Sequence, residues 1–99
     1  MSATEFRFQF KPNVDLSEAE DTMRLSLLAA EGLFGEARVR TEVSYTVDPL
    51  RAEILVAGDA PVGEAVTQIF TSLLSHEFGR GAFAVRRESA RQPATAPAA

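Results

Sequence analysis

The sequence predicts an α+β fold, a four-stranded antiparallel sheet with two helices packed on one face. Three observations predict it. Residues 6–11 alternate apolar with polar side chains, two longer stretches repeat apolar residues every three or four positions, and the segments run strand, helix, strand, strand, helix, strand.

The first strand is Phe6-Arg7-Phe8-Gln9-Phe10-Lys11. A period of two puts the three rings on one side of a strand, whereas residues two apart on a helix point in different directions. Pro12-Asn13 ends it, since proline has no N–H for a ladder and asparagine favours turns. A helix then starts at Asp15 or Ser17, with Glu20 placed three residues after Ser17 for a capping box. The acids Asp15, Glu18, Glu20 and Asp21 suit the positive end of its dipole. Leu16, Ala19, Met23, Leu27, Ala30 and Phe34 form its apolar stripe, with Leu28 at the margin, and Gly32 and Gly35 offer left-handed stops.

Between residues 37 and 47 the period returns to two. Val39, Thr41, Val43, Tyr45 and Val47 fall on one side, and Arg38, Arg40, Glu42, Ser44 and Thr46 on the other. Asp48-Pro49-Leu50-Arg51 supplies a turn, and Ala52, Ile54 and Val56 alternate again. Facing Val47 with Ala52, Tyr45 with Ile54 and Val43 with Val56 makes every pair on that face apolar. Asp59 is the expected cap of a second helix with Pro61 in its first turn. Val62, Val66, Ile69, Phe70 and Leu73 form its stripe, Ala65 and Leu74 lie beside it, and Gly79 ends it. Residues 82–87 read as a last strand with Phe83 and Val85 inward. Residues 89–99 hold no bulky apolar side chain and read as a disordered tail, leaving a single domain over residues 1–88.

Right-handed crossovers then give the split βαββαβ arrangement called ferredoxin-like, with sheet order 4-1-3-2 and the Phe strand in the middle. The alternative leaves the last strand unpaired or exchanged between subunits.

Composition narrows the function. Ninety-nine residues, 45% hydrophobic and 24% charged, suit one small globular domain. There is no cysteine, so no disulfide, thiolate metal site or cysteine nucleophile. No charged-then-apolar leader opens the chain and its longest apolar runs are four residues, so the expected setting is the cytoplasm, away from membranes. A net charge of −4 argues against a general nucleic-acid binder.

No catalytic constellation is visible. The single histidine, His76, lies near a helix C-terminus, where the dipole favours a surface cation, and Glu77 beside it diverges by about 100° around the helix. The acidic cluster Glu18, Glu20 and Asp21 is explained by capping. Gly58-Asp59-Ala60-Pro61-Val62-Gly63 sets glycines at a helix N-terminus but lacks the ending of a phosphate-binding loop. No cofactor and no metal is expected.

Two surfaces remain. By parity, the sheet face away from the helices carries Arg7, Gln9, Lys11, Arg38, Arg40, Glu42, Glu53, Leu55, Ala57, Ala82, Ala84 and Arg86, a basic bias suited to a phosphate-bearing ligand or nucleic acid. The Phe rings fall on the opposite side, so this face lacks the base-stacking aromatics of four-stranded RNA-binding domains. The second surface is an edge. The second strand outruns its hairpin partner and leaves residues 37–40, with Ala37 and Val39, projecting as a template for another strand, while Leu55, Ala57, Ala82 and Ala84 offer a small flat patch. The expected function is therefore a non-enzymatic module that binds a protein partner or itself, as a homodimer. The alternative is a binder of phosphate or nucleic acid through Arg7, Gln9, Lys11, Arg38, Arg40 and Arg86.

Overall fold

The computed structural model describes residues 4–89. Along them run strand β1 (Thr4–Phe10), helices α1 (Leu16–Phe34) and α2 (Glu36–Glu42), strands β2 (Ser44–Asp48) and β3 (Glu53–Ala57), helix α3 (Val62–Phe78), a 3-10 turn (Arg80–Ala82) and strand β4 (Phe83–Ser89). The strands form one antiparallel sheet ordered β2-β3-β1-β4, the expected order read from the other edge. The last strand pairs with β1 inside the same chain, from Thr4 opposite Ser89 to Phe10 opposite Phe83. The stretch expected to be a disordered tail lies outside the described residues from 90 onward.

The core forms where the apolar stripes meet. Phe8, Ile54 and Val56 from the sheet, Ala19, Met23 and Ala30 from α1, and Val62, Val66, Phe70 and Leu74 from α3 are all fully buried. The Phe8 and Phe70 rings lie 4.6 Å apart in a tilted pair, which fixes α3 against the middle of the sheet. Leu74, rather than its neighbour Leu73, completes the α3 stripe.

Asp15 is the cap of α1; its carboxylate accepts the Ser17 N–H at 3.0 Å and the Ser17 hydroxyl at 2.8 Å. Those bonds, that of the hydroxyl first, hold the Asp15 carboxyl below the usual carboxylate range. Asp59 does not cap α3. That helix begins after Pro61 without a side-chain cap, and the Asp59 carboxylate instead accepts the Thr4 N–H at 2.9 Å, tying down the start of β1.

The main departure from the sequence reading is at residues 37–47, where a short helix and a five-residue strand replace one long strand. Gly35, at φ 94°, stops α1, and the chain turns into α2. Val39 and Val43 are spaced four apart as well as evenly, so the same pattern serves a helix, and both are buried. The Glu36–Arg40 and Arg38–Glu42 ion pairs, at 2.9 and 3.1 Å, are the i,i+4 contacts that favour the helical solution. The hairpin register also moves by two. Val47 faces Ile54 and Tyr45 faces Val56, because residues 49–52 are all spent on the turn, with Ala52 at φ 54°. A shift of two keeps parity, so the inward set is unchanged.

At the other edge, β4 runs two residues further than expected, to Ser89. Val85 sits opposite Phe8 yet is 41% exposed, because the helices do not extend over this margin. Beside it the Arg87 guanidinium lies 5.7 Å from the Phe6 ring centroid. Ala82 is buried in the 3-10 turn, off the sheet face where parity put it.

One buried side-chain polar atom among the described residues has no partner, the Thr67 hydroxyl on α3. Leaving a donor unmet costs about 1–3 kcal/mol. Thr67→Val, which swaps the hydroxyl for a methyl of similar shape, is therefore expected to raise the unfolding free energy by about 1 kcal/mol. Urea denaturation of the two proteins measures it, and an unchanged or lower midpoint refutes it.

Candidate functional site

The residues expected to form a basic sheet face do not form one. Arg7 is at the centre of the open face, but its guanidinium reaches Glu53 at 2.7 Å on one side and Glu88 at 3.1 Å on the other. Arg86 also binds Glu88, at 3.1 Å. The Glu53 side chain is only 7% exposed, and the Arg7 guanidinium is its ion-pair partner there. The Glu88 carboxyl is held below its ordinary range, chiefly by hydrogen bonds from Arg7, and Arg7 is correspondingly more firmly protonated. With Glu5, Glu53 and Glu88 interleaved among Arg7 and Arg86, the field on this face is nearly balanced. Gln9 and Lys11 are exposed at its lower end, beside Ala84, over a shallow depression that also touches Pro12 and Phe83. Leu55 and Ala57 are half-buried on β3.

Arg38 and Arg40 are not on the sheet at all. They stand on α2, where Arg38 pairs with Glu42, and Arg40 with Glu36 and, at 3.7 Å, with Glu31 of α1. Ala37 is exposed on the same helix, and Val39 is fully buried in the core. The projecting edge of residues 37–40 therefore does not exist; the outer edge of the sheet on this side is β2. His76 is exposed in the last turn of α3, while Glu77 accepts the Thr22 hydroxyl at 2.6 Å and links α3 to α1. Among the described residues no group of three or more His, Cys, Asp or Glu is placed to hold a metal ion, and no helix is long and apolar enough to cross a membrane.

The feature that stands out is a crevice between α1 and β2, closed at one end by α2. Its larger part has a volume of about 560 Å³ and is walled by Leu27, Leu28, Val39 and Val43, with Arg24, Glu31 and Arg40 at the rim. A smaller part of about 260 Å³ lies toward the β2–β3 turn, between Leu16, Ser17 and Glu20 on α1 and Val47 and Pro49. Tyr45 separates the two. Its hydroxyl donates to Glu20 at 2.9 Å, and Glu20 in turn takes Arg24 at 3.2 Å, so one polar bridge spans an otherwise apolar gap. Leu28, in the wall, is 61% exposed. No strand pairs with the outer edge of β2 among the described residues, so the crevice opens beside a row of free backbone donors and acceptors.

Burial first, then the hydrogen bond to Glu20, pushes the Tyr45 phenol above its ordinary value. Folding thus favours the neutral phenol. That contribution to stability is complete below about pH 10 and is lost as the pH rises through the raised value. Tyr45 is the only tyrosine, and there is no tryptophan, so its ultraviolet absorbance reports on the crevice without interference. A spectrophotometric titration is expected to show a midpoint above 10 that falls toward 10 in urea. A native midpoint at or below 10 contradicts the bridged, half-buried geometry.

Sequence periodicity located Leu16, Leu27, Val43 and Val47 as inward residues but did not show that α1 and β2 stand apart. The available signal was Leu28, off the α1 stripe. No protein-family model and no curated protein sequence matches the chain.

Proposed function

We propose that the protein is a binding module of ferredoxin-like topology that takes a protein partner along the β2 edge. The single observation that carries this is the apolar crevice lying beside an unpaired strand edge. An extended segment laid against β2 meets main-chain groups along its length, and every second side chain is directed at the crevice; this is recognition by strand addition. The charged groups support binding over catalysis, because each rim cation already has a carboxylate partner: Arg24 has Glu20 and Asp21, and Arg40 has Glu36.

A random peptide library displayed on phage tests the proposal without a known partner. Enriched peptides with alternating apolar residues, which shift the amide resonances of residues 44–48 and change Tyr45 fluorescence, are expected. Failure to enrich any peptide, or enrichment of peptides that shift residues elsewhere, overturns it.

A further inference from the structure

The two edges of the sheet are protected very differently. The β4 edge carries Arg86, Arg87 and Glu88 in succession, charges that discourage a second strand from pairing there. The β2 edge, Ser44-Tyr45-Thr46-Val47-Asp48, has no lysine, arginine or proline, and its one charge is at the end. An unguarded edge flanked by an apolar crevice is an interface waiting for a strand. The β2 strand itself suits that strand's role.

We infer that the occupant of the crevice is a second copy of this chain, joined β2 to β2 in antiparallel register about Thr46, a conclusion that rests on the strand-addition reading above. With Thr46 on the twofold axis, Tyr45 faces Val47 of the second copy on the helix side. On the open side Ser44 faces Asp48 of the second copy, a hydroxyl against a carboxylate. No like charges are opposed, and the one aromatic residue meets a β-branched one, both favourable across strands. The same register carries the turn of each copy past the end of β2, so that Pro49-Leu50 comes beside Glu42 and Val43 of the other, at the mouth of the 560 Å³ crevice. Leu50 is the most exposed large apolar residue of the described chain, at 97%, and has no packing role within its own subunit. Its side chain is what the crevice lacks. Arg51, next to it, brings a cation to the Glu42 end of α2. Because the contact is isologous, both crevices are filled at once and both β2 edges disappear into one eight-stranded sheet.

Sedimentation across a micromolar concentration series is expected to show a monomer–dimer equilibrium. Leu50→Glu should raise the dissociation constant about tenfold or more while leaving circular dichroism and thermal unfolding at low concentration unchanged, since the residue is exposed in the free subunit. The chain has no cysteine, so Thr46→Cys supplies a thiol that meets only its own symmetry mate. Mild oxidation is expected to trap this variant as a covalent dimer, whereas Gln68→Cys, exposed on α3, stays monomeric under denaturing electrophoresis. A strict monomer at all concentrations overturns the inference. So does a dimer that Thr46→Cys fails to trap and Leu50→Glu fails to weaken. In either case the peptide selection still decides the strand-addition reading by itself.

Discussion

Phe8→Ala is expected to lower the unfolding free energy by roughly 3–5 kcal/mol, a large share of the roughly 5–15 kcal/mol available to a domain of this kind. The ring is 0% exposed, pairs across the sheet with Ile54 and Val85, and touches the Phe70 and Phe83 rings at 4.6 and 6.3 Å. The backbone of a central strand is fixed by neighbours on both sides and cannot collapse to fill the space, so the cavity persists and the cost tends to the upper end. Phe6, on the same face, packs at the margin of the core and is only half-buried, with Arg87 over its ring, and Phe6→Ala is expected to cost clearly less. Chemical denaturation should show the midpoint falling further for Phe8→Ala at unchanged slope. Equal losses at the two positions would mean the sheet face is not covered as described.

Gly63→Ala is expected to destabilise the fold by about 3 kcal/mol, although alanine is the better helix former by roughly 1 kcal/mol. A Cβ at Gly63 would run into the carbonyl carbon and oxygen of Gly58 and come within 2.7 Å of its Cα. All three are backbone atoms, so no rotamer change relieves the clash; either α3 or the end of β3 must move. Gly32 is the matched control. It also lies inside a helix, and a Cβ there meets nothing within 4 Å, so Gly32→Ala should stabilise by roughly 0.5–1 kcal/mol. The same chemical change with opposite signs at two sites isolates the close approach from helix propensity. If Gly63→Ala melts at or above the parent temperature, the approach of α3 to Gly58 is not as tight as described.

The elements legible in the sequence are those whose period admits one reading. Phe6, Phe8 and Phe10 fit a strand only, and the stripes of α1 and α3 are long enough that no strand competes. Residues 37–42 suit a strand as well as a helix because Val39 and Val43 satisfy both periods, and the contacts that decide for the helix, Glu36 with Arg40 and Arg38 with Glu42, join residues four apart that a strand would separate. The open face failed for a related reason: ending the last strand at Arg87 leaves out Glu88, the carboxylate that helps neutralise Arg7. The crevice is a different matter. It depends on the distance between α1 and β2, set by packing elsewhere, and Leu28, just off the α1 stripe, is the one local trace of it. The Gly58–Gly63 stretch was visible as a pair of glycines, but their mutual contact is a fact of tertiary structure.

The central position of β1 also orders events in time. Its ladder partners are far along the chain, as the Arg7 contacts show: Glu53 is 46 residues away and Glu88 is 81. The helices and the β2–β3 hairpin close short loops, so they form early, while β1 must wait for distant segments and bears most of the loop-closure entropy. During synthesis the Phe-rich strand emerges before the other three and acquires its last neighbour only when β4 is made. Three phenylalanines therefore spend the longest interval without their final cover, and the segment that anchors the finished sheet is the one most exposed to mispairing before it is finished.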